Sequence, residues 1–319
     1  MTVTRAEKSG QPATLSGAPR LMAAPRGRTL TTDVYAVVGF VLVVTTGLWL
    51  KDGGLTDLMH PWVDTVLSLG RLSGLYAALF AMAGLILAAR PRGLERRYGL
   101  DKMLGWHRIV GITTVSLVVF HAIVDTVGWG LTSSVNPVAA LIDLIRTQSW
   151  MLAALMALVL FVVIGLSSWR RIRRRVSYET WYYVHITAYL AVLLAFGHQL
   201  TLGTDISGKT PALIWWISLF VITFGWVLYA RFADLLRALS RGRLEITKVT
   251  KEAPGVGSVH INGPGLRRMH ATAGQFFMLR VAHKGLWWQP HPFSLSSAPT
   301  RDGIRFTVKE LGDGSRSEE

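Results

Sequence analysis

Six apolar runs of about twenty residues punctuate the chain, near 33–50, 66–89, 104–127, 149–168, 180–201 and 211–231. A helix rises about 1.5 Å per residue, so a run of this length spans a hydrocarbon core of about 30 Å and predicts one membrane-crossing helix. Trp and Tyr gather near the ends of the third to fifth runs, where interfacial anchors belong. After Arg231 the pattern changes. Residues 232–241 read as a short basic connecting helix, and from Leu244 short strands are broken by Gly and Pro: RLEITKV, SVHING, QFFMLRVA, HPFSLSS and IRFTVKEL. The predicted fold is a mainly α membrane protein, a six-transmembrane-helix bundle over 31–232 followed by a partial antiparallel β-barrel over 242–319. Residues 1–30, rich in Pro, Gly, Ser, Thr and Arg, predict a disordered basic arm. The first run starts too late for a secretory signal and has no cleavage pattern after it, so it predicts an uncleaved span.

Charge sharpens this picture. Among 319 residues, half are hydrophobic, yet the formal net charge is +15. The bases lie at the edges of the apolar runs. Arg5, Lys8, Arg20, Arg26 and Arg28 precede the first; Arg90, Arg92, Arg96, Arg97 and Lys102 fill the second loop; Arg170, Arg171, Arg173, Arg174 and Arg175 fill the fourth. The first, third and fifth loops hold mainly Asp. By the positive-inside rule both termini are cytoplasmic, which predicts an integral protein of a bacterial-type plasma membrane whose basic loops meet lipid head groups. No interleaved basic and aromatic surface marks a nucleic-acid partner. With no cysteine, disulfides, iron–sulfur clusters and thiolate-held haem are excluded.

The candidate chemistry lies in four histidines. The third run carries His107 and His121, fourteen residues apart; the fifth carries His185 and His198, thirteen apart. Fourteen residues place two rings roughly 20 Å apart along a helix axis, at two depths of one bilayer. A single histidine in such a span is a packing residue or a proton relay. Four at matched depths point to two sites: His107 with His185 near the cytoplasmic surface, and His121 with His198 near the outer one. Neutral imidazoles in an apolar bundle suit two bis-His b haems. Zinc suits them less, because no third ligand completes either pair. Thirteen residues at about 100° each miss the starting face by about 140°, so the fifth span is expected to be irregular, with Gly197 as a plausible place.

The HR pair at 107–108, the spacing to His121, YETWYYVH before His185 and GH at 197–198 resemble the ferric reductase-like transmembrane family, which includes the NADPH oxidases. The resemblance implies six helices with two b haems between the third and fifth. It also implies that Arg71, at the outer end of the second span, contacts an outer haem propionate or positions the acceptor, although a snorkelling interfacial Arg is the alternative. Asp125 stands where animal oxidases have His, which puts oxygen in doubt as the acceptor.

HPFSLSSAP, at 291–299, looks like the FAD segment of ferredoxin-reductase-type barrels, with His291, Pro292, Phe293 and Ser294 in the ring-binding positions. Gly312, Gly314 and Ser315 match that family's pyrophosphate segment, where backbone N–H groups favour phosphate. No GxGxxG follows, and the barrel reads as truncated, so NAD(P)H is expected to act through a missing or separate reductase domain or protein. The expected activity is that of a transmembrane oxidoreductase. Electrons pass from reduced FAD, ultimately from NAD(P)H, through two b haems to an external acceptor such as ferric iron or oxygen. One alternative is a haem-only subunit exchanging electrons with quinone or a partner reductase; another is a non-redox, His-lined transporter or channel.

Overall fold

The computed structural model describes residues 28–59, 62–240, 245–263, 266, 276–279, 291–297 and 303–309. Among them the helices are α1 (Arg28–Lys51), α2 (Gly54–Asp57), α3 (Trp62–Ala88), α4 (Arg92–Tyr98), α5 (Leu100–Thr132), α6 (Pro137–Thr147), α7 (Met151–Ser168), α8 (Arg170–Arg173), α9 (Tyr178–Ile186), α10 (Ala188–Leu202) and α11 (Thr210–Ser240). The strands are β1 (Glu245–Ala253), β2 (Val256–Asn262), β3 (Phe276–Leu279), β4 (His291–Ser294) and β5 (Ile304–Lys309). Six helical stretches are long and apolar enough to cross a membrane, falling in α1, α3, α5, α7, the α9–α10 pair and α11. The protein is thus mostly helical, with six candidate membrane spans followed by small antiparallel sheets.

Two expectations change. The stretch 232–241 is not a separate connecting helix, because α11 runs on to Ser240. RFADLLRALS holds no Gly or Pro that would stop it. Short helices also fill the loops, and α6 is the best formed of these. Asn136 caps it by accepting a hydrogen bond from the Ala139 N–H (2.9 Å), and Pro137 opens its first turn. Most of the basic arm lies outside the described residues, and α1 begins at Arg28.

The chain divides into two compact units, one reaching to Gly84 and resuming over Arg92–Ile217, the other taking Leu85–Pro91 and the chain from Ser218 onward. In the first unit, polar pairs sit inside the bundle. The buried Trp49 indole donates to the Ser68 carbonyl (3.2 Å), and the Ser68 hydroxyl donates to the Gly54 carbonyl (2.8 Å). Each satisfies a group that burial would otherwise penalise. The outward faces are apolar: Val37, Phe40 and Val43 on α1, Ile109 and Ile112 on α5, and Leu152, Met156 and Val159 on α7 are all exposed. Such faces suit hydrocarbon, not water.

In the second unit, β1, β2 and β5 form one antiparallel sheet in that order, and β3 pairs with β4 in another. Pro254 and Gly255 turn the chain between β1 and β2, with Gly255 at φ 69°. That left-handed conformation strains any residue with a Cβ. Phe306, fully buried, joins the two sheets by meeting the rings of Phe277 (6.0 Å between centroids) and Phe293 (6.3 Å). All five predicted strands are present within their described parts.

Candidate functional site

The site is built on α5, a helix of 33 residues that holds His107 and His121 on one side. Its neighbour α3 runs antiparallel to it and supplies two backbone carbonyls. His107 Nδ1 donates to the Gly84 carbonyl (3.1 Å), and His121 Nδ1 donates to the Gly70 carbonyl (3.0 Å). Gly70 and Gly84 are fourteen residues apart, the same interval as the two histidines. Since each Nδ1 carries its proton toward a carbonyl, each Nε2 keeps a free lone pair, the tautomer a metal ligand requires.

Glycine on α3 has a steric role as well. A Cβ at Gly74 would lie 2.8 Å from the His121 ring, and one at Gly70 would displace the Asp125 carboxylate. Gly74 must stay bare for the imidazole to lie where it does, and Gly70 for the carboxylate. Asp125, one turn beyond His121, places Oδ2 3.1 Å from His121 Nδ1.

The opposing pair comes from α9 and α10. The fifth span is irregular as expected, but the break is at Thr187, not Gly197. The Thr187 N–H bonds Val184 (3.2 Å), one residue closer than in a regular α-helix, and its hydroxyl donates to the same Val184 carbonyl (2.7 Å). A threonine that bonds back in this way tightens or bends its helix. Gly197 lies within α10 and serves packing, because a Cβ there would strike the Trp150 ring.

These elements bring together the residues that were paired from sequence. The rings of His107 and His185 are 5.8 Å apart at 67°, and those of His121 and His198 are 6.3 Å apart at 30°. Two imidazoles sharing one metal from opposite sides at bonds of about 2 Å have ring centres about 6.3 Å apart, which the His121–His198 pair matches and the His107–His185 pair, at 5.8 Å, approaches. Among the described residues no group of three or more metal-ligating side chains exists, which fits two-ligand axial sites better than a closed zinc site. The donor set therefore fits bis-His haem.

The second members of the pairs are held differently. Trp181 stacks on His185 at 4.9 Å and donates to Ser168 Oγ (3.3 Å), which in turn lies 3.5 Å from His185 Nδ1. Arg173 sits 4.7 Å over the same indole, a cation–π contact. His198 Nδ1 is buried without a partner in good hydrogen-bond geometry, although the Ala195 backbone is near enough to interact.

Arg71 lies in a separate polar cluster. It donates to Asp57 (2.8 Å), and its Nε approaches the buried Asp205 at 3.8 Å. Burial pushes the Asp205 carboxyl above the usual carboxylate range, an effect that the Arg71 charge opposes. Close by, Lys209 pairs with Asp52.

In the sheet unit, Ser294 is exposed at the end of β4 and free to meet a ligand, whereas Phe293 is committed to the core against Phe306. His291 and Pro292 lie in the β4 ladder opposite Leu279 and Met278. Gly312, Gly314 and Ser315 lie outside the described residues. Sequence reasoning missed Gly70, Gly74, Gly84 and Thr187. The repeated fourteen-residue interval between glycines of the second span and histidines of the third was the signal that could have found the carbonyl pair.

Six helical stretches long and apolar enough to cross a membrane, with two histidine pairs between α5 and the α9–α10 span and a small antiparallel sheet unit after them, define an integral membrane protein. Residues 73–196 match the family described as ferric reductase like transmembrane component, and residues 246–318 match an FAD-binding domain. The chain therefore carries a ferric reductase-like transmembrane region and, after it, an FAD-binding domain. It is 24% identical over 313 residues to Dual oxidase 1 of Canis lupus familiaris, covering 86% of this chain and 19% of that protein. The human Dual oxidase 1 is 23% identical over 283 residues, covering 81% and 17%. A probable ferric reductase transmembrane component of Eremothecium gossypii is 25% identical over 264 residues, covering 82% and 35%. The chain thus spans about a fifth of the dual oxidases and about a third of that reductase.

Proposed function

We propose that this chain carries electrons across a membrane, from a flavin on the cytoplasmic side to an acceptor at the outer face. Two b haems, one held by His107 and His185 and the other by His121 and His198, would supply one-electron carriage at two depths. The observation that carries this reading is the pair of ring separations, 5.8 and 6.3 Å, in each of which the α5 histidine already donates its Nδ1–H to a carbonyl. With two histidines at each site no open coordination position remains, so the acceptor would be reduced at the edge of the site, without binding iron.

The chain's own residues have defined tasks in this scheme. Gly84 and Gly70 orient the α5 imidazoles, Trp181 fixes the plane of His185, and Arg71 holds positive charge at the outer end. The basic fourth loop supports a cytoplasmic position for the inner pair and for both termini. The FAD-binding domain follows the sixth span, so by the same rule the flavin lies on that side too, with Ser294 exposed for it. NAD(P)H, through a further domain or a separate reductase, is the proposed source of electrons. The acceptor class comprises ferric chelates and oxygen.

Proteoliposomes test this directly. With the purified chain in the bilayer and ferricyanide trapped at the face bearing the outer pair, reducing FAD from the other face should bleach the ferricyanide. No bleaching in vesicles whose protein is fully loaded with FAD and haem would contradict the proposal.

A further inference from the structure

The two α5 histidines are held alike by α3 carbonyls, but among the described residues His121 alone has a second oxygen within reach of its Nδ1. Asp125 Oδ2 stands 3.1 Å from that nitrogen, beside the Gly70 carbonyl that accepts its hydrogen bond at 3.0 Å, so an acidic oxygen flanks the same N–H. The carboxylate is not there by default. A Cβ at Gly70 would displace it, its Oδ1 is buried with no hydrogen-bond partner, and the charged group near enough to offset it is Arg71. An acidic side chain one turn from a histidine inside an apolar span is expensive, and a packing role would be filled as well by Leu or Ala.

We propose that Asp125 is a positioning residue that makes the outer site the more strongly reducing of the two for its ligand set. A carboxylate that accepts the Nδ1–H draws the proton toward oxygen and leaves the imidazole more electron-rich, so Nε2 becomes a stronger donor. A stronger donor favours ferric over ferrous iron and lowers the reduction potential, by the same lever of outer hydrogen bonding that tunes haem proteins generally. His107, with the Gly84 carbonyl alone, is the internal control. The consequence for function is at the acceptor end: an outer site held low in potential can reduce weak oxidants.

This inference rests on the haem reading above. Its test is an optical redox titration of the haem-loaded full chain, comparing wild type with Asp125→Asn and Asp125→Glu. In Asp125→Asn the ferrous-to-ferric ratio of one haem at a fixed potential should rise about tenfold, which is about 59 mV for a one-electron couple, while the other haem is unmoved. Asp125→Glu should return that midpoint toward wild type. If Asn fails to load the outer haem but Glu loads it, the carboxylate role stands; if both lose it equally, Asp125 is a packing residue and the inference fails. Two unmoved midpoints, or equal shifts of both, also overturn it. Absence of b-type bands in the wild type would instead sink the haem reading itself.

Discussion

The His107–His185 pair, inner in the proposed orientation, and the His121–His198 pair, outer in it, use one device in two settings. Both α5 histidines hand their Nδ1 protons to glycine carbonyls of α3 fourteen residues apart, so the ligand tautomer is fixed by backbone, which mutation does not readily remove. Around this shared frame the two ends diverge. The inner pair lies nearly edge to face, with Trp181 stacked on His185 and Arg173 over the indole. The outer pair lies closer to parallel, with Asp125 on His121 and the acids Asp57 and Asp205 drawn round Arg71. Backbone carbonyls thus hold the two α5 imidazoles alike, while the side chains around the two ends differ in charge.

The strongest way to break this comparison is to remove one ligand at each end. His107→Ala and His121→Ala should each reduce haem from about two per chain to about one, read by pyridine haemochrome assay on purified protein. Equal loss of both haems in either variant would mean a single shared site. A subtler blow separates frame from ligand. Gly74→Val forces side-chain atoms into the His121 ring and should disturb the outer haem's spectrum while sparing the inner one, with an overpacking penalty of about 1–3 kcal/mol seen as a lower melting temperature. The smallest effect belongs to Asp57→Ala, which leaves Arg71 beside Asp205. Asp57 is partly exposed, so screening limits its pair with Arg71 to on the order of 1 kcal/mol, and thermal unfolding should shift by only a few degrees. A large stability loss there would show that the pair holds the outer end together rather than tuning it.

Much of this arrangement was legible beforehand because hydrophobic runs and charge asymmetry act over whole helices. The spans were found within a few residues, and the four histidines announced themselves as costly groups at repeated spacing. The second layer was harder to read. Gly70 and Gly84 contribute only carbonyls, and a backbone acceptor leaves no residue type to recognise. Gly197 looked like the place for a kink, but its bareness serves Trp150, and the irregularity came from Thr187, whose hydroxyl competes for a helix carbonyl. In the sheet unit, alternation predicted the strands, yet Phe293 serves the core through Phe306, which the FAD-like motif alone did not reveal.

The most direct test of the central claim is a reduced-minus-oxidised absorption spectrum of the purified, folded chain. Two bis-His sites predict the sharp α, β and Soret bands of six-coordinate low-spin b haem, at about two haems per chain by quantitation. A folded protein that shows no such bands, or that carries haem in the five-coordinate state, would contradict the account.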